Sequence, residues 1–493
     1  MSRFLRVVNR VIHRIALRPA WVLPLRQHKN LAMTLIASVS GIRGTIGGAV
    51  GSNLTPLDAV AFASAYGQWL RVQSGSDRRL RVALGRDART SGEALSDLVV
   101  STLRFQGIDV LDLGLSTTPT VEMMVTWEGC DGGIILTASH NPGEWNALKL
   151  LNARGEFLSA EDGAKILKAR EEGNFNFAPV SELGHRIAVQ DGIERHIQAI
   201  LNLDLVDVEA IRARGFAVAV DAVASTGGIA IPMLLKALGV ARIEGLHCEP
   251  TGHFPHNPEP LRKHLDEICA LVPETKCDLG IVVDPDVDRL VFVSEDGELF
   301  GEEYTLVAVA DYLLQHHPGH VVSNLSSSRA LRDIAERHNS TYSASAVGEV
   351  HVVAEMKAKG AVLGGEGNGG IILPELHYGR DALVGVALFL TYLAQRGGTC
   401  SALRATYPNY AMAKEKIDLQ PGVGTDALLA RVAASQAHLN PSTIDGVKID
   451  FPDRWVHLRK SNTEPIIRIY TEAPTQAEAE ALATEFAAKL SSL

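Results

Sequence analysis

Four short stretches of the chain gather residue types that bind phosphates, metals and sugars. In "TASHNPGEWNALK" (137–149), Ser139 is followed by His140, Asn141 and Pro142, with Lys149 closing the stretch. The serine comes just after a run that reads as a buried strand. A loop there sits at the carboxyl edge of a sheet, where α/β proteins bind ligands, and Pro142 stops helix or strand from running through it. Three roles are open to this serine: attack on a carbonyl, carriage of a phosphate, or hydrogen bonding to its own turn. A Ser-His hydrolase would want the G-x-S-x-G elbow, and Ala138 and His140 flank the serine instead.

"DPDVDRL" (284–290) spaces Asp284, Asp286 and Asp288 by two, after the strand-like "LGIVV". Carboxylates this close ionise together cheaply only in open solvent or around a cation. Hard oxygen donors suit Mg²⁺, which keeps open positions for phosphate oxygens. An EF-hand would need glycine where Arg289 stands, and a solvated acidic turn is the plain alternative. Arg289 beside such a loop is a fixed cation suited to gripping phosphate.

"GGEGNGG" (364–370) projects Glu366 and Asn368 from a glycine-dense loop, groups that accept from and donate to sugar hydroxyls. Residues 365–370 satisfy G-x-G-x-x-G through glycine density alone and no G-K-[ST] ending is present, so a nucleotide fingerprint is not indicated. "HYGRDA" (377–382) adds His377 and Arg380. "RKSNTEPIIR" (459–468) concentrates Arg459, Lys460, Ser461, Asn462, Thr463 and Arg468, the charge and donor mixture a phosphate monoester wants; a charged turn is the alternative. Arg43 in "SGIRGTIGG" and Arg86 and Arg89 in "GRDART" are unremarkable singly.

The elements that must position these loops alternate short β-rich runs with longer helical ones, the pattern of an α/β protein. Strands are expected at 78–85, in "IDVLDLG", and within 214–223, 278–284 and 360–367, with a helix over 91–107 that stops at Gly107. The design of a strand followed by a polar loop recurs three times without a strong sequence repeat. Beyond "ATYPNYAM" the pattern changes to α+β, and Leu482, Phe486 and Leu490 share one face of a final helix.

The 493 residues carry a formal charge of −10. That length allows several domains with ample core, and that charge argues against nucleic acid or anionic membrane as partner. Small phosphorylated ligands remain open, because a few convergent arginines suffice. Five cysteines without C-x-x-C indicate neither a disulfide framework nor a zinc site, and fit a reducing, cytoplasmic setting. No apolar run reaches membrane-spanning length. Residues 1–57 contain no acid, and Arg3, Arg6, Arg10, Arg14 and Arg18 alternate with apolar residues. Residues 1–32 therefore read as a basic extension, a poorly ordered one or a membrane-surface or targeting segment.

Taken together, the motifs resemble those of the α-D-phosphohexomutases. "TASHNPGEWNALK" resembles that family's phosphoserine loop, "DPDVDR" its metal loop, "GGEGNGG" its sugar loop and "RKSNTEP" its phosphate loop; "GIRG" and "GRDART" also have counterparts. The resemblance covers roughly residues 34 to 490. It implies four domains around a central cleft, three related α/β units and a C-terminal α+β domain. We expect them at 33–190, 191–298, 299–404 and 405–493. It implies that Ser139 carries the phosphoryl group and, with Asp284, Asp286 and Asp288, holds Mg²⁺. Lys149 matches the family's general base, with His140, Arg43 and Arg289 beside it; cationic neighbours Arg43 and Arg289 would lower its pKa. Glu366 and Asn368 would hold sugar hydroxyls, and Arg459, Ser461, Asn462, Thr463 and Arg468 the unreacting phosphate. The implied reaction is a double phosphoryl transfer through a hexose 1,6-bisphosphate. Pro285 and Val287 depart from the usual metal loop, and Asn368 and Gly370 stand where many relatives carry Ser and His. The sugar loop and "FPHNPEP" (254–260) look most like the archaeal-type phosphoglucosamine mutase branch, which favours glucosamine 6-phosphate as substrate. The alternatives are a phosphomannomutase/phosphoglucomutase, a silent sugar-phosphate sensor and a Mg²⁺-dependent phosphatase.

Overall fold

A computed structural model describes residues 33–38, 41–75, 78–418, 424–460 and 466–492. The basic extension 1–32 lies outside the described residues, as do Ser461, Asn462 and Thr463.

Three of the four sheets repeat one plan. In the first, Arg81–Arg86 lies between the parallel strands Asp109–Leu115 and Gly132–Leu136, and Trp145–Leu151 returns antiparallel to the last of these. In the second, Ala217–Asp221 lies between Arg242–Leu246 and Leu279–Val283, with Leu290–Ser294 returning. In the third, His320–Asn324 lies between Thr341–Ser345 and Leu363–Glu366, with Gly370–Ile372 returning. Helices such as Gly92–Phe105, Gly227–Ala237 and Ala330–Arg337 make the crossovers. Strands covered on both faces read as continuous apolar runs, and all five residues of "LGIVV" are buried.

One consequence governs the rest of the molecule. In each unit the loop between the third strand and its returning partner is one of the chemistry loops: Ser139 in the first, the aspartates in the second, Glu366 and Asn368 in the third. Three copies of one hairpin therefore deliver the three chemistries to a common centre. The first sheet is widened to seven strands by Ile36–Ser38, Gly41–Thr45 and Arg186–Ala188.

The second and third units share a single hydrophobic core. Phe292 of the metal-loop hairpin stacks on Phe389 of the helix Ala382–Arg396, ring centroids 3.8 Å apart. Burying such a ring contributes roughly 1.5–3 kcal/mol, which favours keeping these two units packed together. Gly369 (φ +82°) shows how closely they meet, because a Cβ there would fall 1.9 Å from the Leu290 carbonyl oxygen.

The fourth domain is an antiparallel sheet in the order Ala411–Asp418, Ile466–Ala473, Trp455–Lys460, Val447–Asp450. The helix Gln476–Ser492 packs on it through Leu482, Phe486 and Leu490, all buried as their spacing predicts.

Candidate active site

Ser139 is held in a left-handed conformation, φ 48°. A non-glycine residue persists there only when its surroundings over-determine it. The Ser139 N–H donates to Thr137 Oγ1 (2.9 Å), and that hydroxyl donates to Asp87 Oδ2 (2.7 Å). The fully buried guanidinium of Arg89 pairs with Asp87 (3.0 Å). It also donates to the carbonyls of Ser139 (2.5 Å), Asn141 (2.6 Å), Pro142 (2.6 Å) and Trp145 (2.9 Å). One arginine thus fixes the whole loop, and Phe254 of the second unit lies under it at 4.9 Å.

The Ser139 hydroxyl donates to Asp284 Oδ2 at 2.7 Å, across 145 residues of sequence. Asp284, Asp286 and Asp288 are completely buried, each with a carboxylate oxygen within 4.8 Å of the others. The metal loop is braced from outside, with Ser225 Oγ and Thr226 Oγ1 donating to Pro285 O (2.7 and 2.8 Å). Thr118 Oγ1 donates to Asp286 Oδ2 (2.5 Å). Val287 at the turn has φ 64°, a strained setting for a β-branched residue. Asp286 Oδ1 and Asp288 Oδ1 are buried without a hydrogen-bond partner. Orphaned acceptors of this kind are rare, and three converging hard oxygens fit a divalent cation. Burial first, then Asp286 and Asp288, pushes the Asp284 carboxyl well above its ordinary range.

Lys149 corrects an expectation. Its ammonium sits 2.7 Å from Asp286 and 3.5 Å from Asp288. Burial would lower its pKa, but these carboxylates raise it above the ordinary lysine value, so Arg43 and Arg289 do not set it. Burial opposes ionisation of Asp286, yet Lys149 holds it down at about 2. His140, with Nδ1 3.4 Å from the serine oxygen, is kept neutral, its pKa driven to about 2 by burial and then by Arg289, Arg380 and Arg43.

Arg289 lies 3.8 Å from Asp284 and 3.8 Å from Glu259. Arg380 spans two loops, with Asp288 at 2.7 Å, Glu349 at 2.9 Å and Glu366 at 3.0 Å. Glu366 also accepts from Asn324 Nδ2 (2.8 Å) and the Gly348 N–H (3.1 Å). A cavity of about 420 Å³ is lined by Arg43, Ser139, His140, Lys149, Arg289, Glu366 and Asn368. A second, about 190 Å³, shares Arg289, Glu366 and Asn368 and adds Glu259, Glu302 and Lys414. Burial and the charge of Arg468 lower the Arg43 pKa, which places the fourth domain's Arg468 within reach of the cleft. Arg459 instead pairs with Asp445 at 2.8 Å and lines neither cavity.

The structure therefore brings together Ser139, His140, Lys149, Arg43, Arg289, the aspartates, Glu366 and Asn368. Sequence reasoning passed over Arg89, whose "D-A-R" context was visible but unremarkable, and Glu349 and Thr118, which carry no local signal. A nucleophilic oxygen facing carboxylates that can hold a cation, ringed by arginines, is built to pass an anionic group to and from serine.

The chain matches all four domains described for phosphoglucomutase/phosphomannomutase: α/β/α domain I over residues 35–177, domain II over 194–297, domain III over 301–410 and the C-terminal domain over 417–489. It is 36% identical to the "Phosphoglucomutase/phosphomannomutase" of Thermococcus kodakarensis, covering 88% of this chain and 95% of that one. It is 33% identical to the "Probable phosphoglucosamine mutase" of Methanopyrus kandleri (91% and 96%) and 30% identical to the "Phosphoglucosamine/phosphogalactosamine mutase" of Sulfurisphaera tokodaii (92% and 98%). The crystal structure of a phosphoglucomutase/phosphomannomutase family protein from Burkholderia thailandensis is similar over 93% of this chain and 97% of that one, with TM-score 0.80 and 26% identity. With its serine loop, its aspartate loop and the loop of Glu366 and Asn368 delivered to one cleft by three copies of the same hairpin, this chain belongs to the phosphoglucomutase/phosphomannomutase family, the phosphohexomutases.

Proposed function

We propose that this phosphohexomutase interconverts glucosamine 6-phosphate and glucosamine 1-phosphate through a phosphoserine at position 139. The observation that carries the phosphoserine role is the 2.7 Å contact between Ser139 Oγ and Asp284 inside the arginine-lined cleft. Glucosamine is supported by the relatives named for that reaction. The runner-up, phosphomannomutase/phosphoglucomutase activity, is supported by the Thermococcus relative at 36% identity.

Asp284, Asp286, Asp288 and phospho-Ser139 would hold Mg²⁺, which supplies charge neutralisation of the carboxylates and of the transferring phosphoryl oxygens. Arg289 and Arg43 orient the phosphate, and Glu366 and Asn368 hold the sugar. With Asp286 and Asp288 engaged by a cation, their hold on the Lys149 proton would be lost, and neutral Lys149 then takes the proton of the sugar hydroxyl as the P–O bond to Ser139 Oγ breaks and the P–O bond to that hydroxyl forms. The hexosamine 1,6-bisphosphate then turns over in the cleft. The opposite P–O bond breaks, Ser139 Oγ regains a phosphoryl group, and the proton returns from Lys149 to the released oxygen. Arg468, with Ser461, Asn462 and Thr463 of the fourth domain, grips the phosphate that is not reacting. Water must be kept out, because phosphoserine would otherwise hydrolyse.

The test is incubation with glucosamine 6-phosphate, glucose 1-phosphate and mannose 1-phosphate in Mg²⁺, with a hexose 1,6-bisphosphate as activator. Fastest isomerisation of glucosamine phosphate is expected, and Ser139→Ala abolishes both isomerisation and protein phosphorylation. Preference for the glucose or mannose ester would establish the runner-up. Release of inorganic phosphate alone would show a phosphatase, and binding without turnover a sensor.

A further inference from the structure

Behind the cleft, where the first three units meet, four polar side chains are buried with no part in the phosphoryl chemistry. His196, on the helix Gly192–Leu201, is fully buried. Asp381 precedes the helix Ala382–Arg396 and caps it, its Oδ1 accepting from the N–H groups of Leu383 (2.8 Å) and Val384 (3.4 Å). Its Oδ2 faces two imidazoles, His196 Nε2 at 2.9 Å and His377 Nε2 at 3.4 Å. The distal nitrogens face oxygens of the helix Thr118–Trp127. His196 Nδ1 is 3.0 Å from Thr120 Oγ1, and His377 Nδ1 is 3.3 Å from Glu122 Oε2. Glu122 is 2% exposed, and neither of its oxygens makes a well-formed hydrogen bond.

We propose that His196 Nε2, His377 Nε2 and Asp381 Oδ2 bind a zinc-class divalent ion, with Thr120 and Glu122 as outer acceptors for the two Nδ1–H groups. One candidate ligand atom from each of the three side chains lies within 4.8 Å of the others. Tetrahedral zinc with bonds of about 2.0–2.1 Å separates its ligands by roughly 3.3 Å, close to the 2.9 and 3.4 Å found here. In each ligand the other polar atom already has a neighbour: Thr120 for His196, Glu122 for His377 and helix N–H groups for Asp381. A hydroxyl or carboxylate behind a ligating imidazole fixes its tautomer and orientation. Two imidazoles and one carboxylate select a borderline ion such as Zn²⁺, whereas the all-oxygen triad in the cleft selects Mg²⁺. Room for Glu122 is built in, because a Cβ on Gly379 would fall 1.7 Å from Glu122 Oε2. An ion there would tie the first unit's helix to the body formed by the second and third.

The test uses the full chain without a polyhistidine tag, dialysed against excess Mg²⁺ and analysed for metal by mass spectrometry. Stripped protein is then titrated with Zn²⁺ and with Co²⁺, whose visible absorption reports tetrahedral nitrogen ligation. We expect one tightly held zinc per wild-type chain, a fall in unfolding temperature on stripping, and full retention in Ser139→Ala. Glu122→Gln is expected to weaken binding about ten- to a hundredfold, and His377→Gln to abolish the cobalt spectrum. Wild-type protein that takes up no stoichiometric Zn²⁺ and gives no cobalt bands would show a hydrogen-bonded cluster only and overturn the proposal. A spectrum unchanged in His377→Gln would overturn it too. Because Ser139→Ala is inactive but keeps this site, failure here is separable from failure of the mutase reading.

Discussion

Asp87 and Arg89 form an ion pair with no exposed side-chain surface, and four loop carbonyls complete the arginine's coordination. Removing one partner of such a pair strands a buried charge and costs about 3–5 kcal/mol. Arg89→Met is therefore expected to lower the denaturation midpoint markedly. Arg89→Lys keeps the charge but lacks the fork that reaches several carbonyls at once. It is expected to fold and to lose roughly a hundredfold in kcat, the scale of a small misplacement of a reacting group; steady-state kinetics and urea unfolding check both. At the sugar loop, Asn368→Ser is expected to change the ratio of rates on glucosamine, glucose and mannose phosphates, and an unchanged ratio would remove Asn368 from sugar selection. The two residues were unequally legible: Asn368 stands in a glycine-dense loop that announces ligand contact, whereas Arg89 works through backbone carbonyls 50 or more residues away.

At the scale of elements, the strands and the final helix were readable because alternation and apolar runs are local properties of the chain. Of the repeated hairpin, the strand and its polar loop were read three times over, but the returning strand was not, since the copies share topology and burial but little sequence. Contacts between elements also set a pH response. His457, on the strand Trp455–Lys460, is buried, with Nδ1 2.9 Å from Ser326 Oγ of the third unit and Nε2 2.6 Å from the Asp445 carbonyl oxygen. Burial drives its pKa down to about 4 from an ordinary 6.5. The unfolded chain therefore binds the extra proton first as pH falls. This contribution to stability is complete above about pH 6.5 and lost between there and about 4, at about 1.4 kcal/mol per unit. Wild type is expected to lose its advantage over His457→Gln by about 2 kcal/mol between pH 7.5 and 5, measured as the difference in urea unfolding free energy. A difference independent of pH would show that His457 is not held neutral.

Across the whole molecule, charges from separate domains act on one another. Arg43 belongs to the first unit and Arg468 to the fourth, and burial, then the charge of Arg468, lowers the Arg43 pKa; an anion beside Arg43 would offset that cost. In the proposed reaction the sugar phosphate is that anion. Arg43→Met is expected to raise KM about ten- to a hundredfold, the scale of one charge-assisted hydrogen bond, and to flatten the dependence of KM on ionic strength. An unchanged KM would mean that the phosphate is held elsewhere.

By itself the sequence determined which chemistries are present and which strands carry them, because residue type, spacing and hydrophobic period are written within a few positions of each site. The tertiary structure alone decided that Ser139 meets Asp284 and that Lys149 lies between Asp286 and Asp288. It also decided that Arg459 turns to Asp445, and that two histidines converge on Asp381 behind the cleft. Electrostatic fields and ligand geometry act through space over a few ångströms, and the partners that set them here lie far apart along the chain.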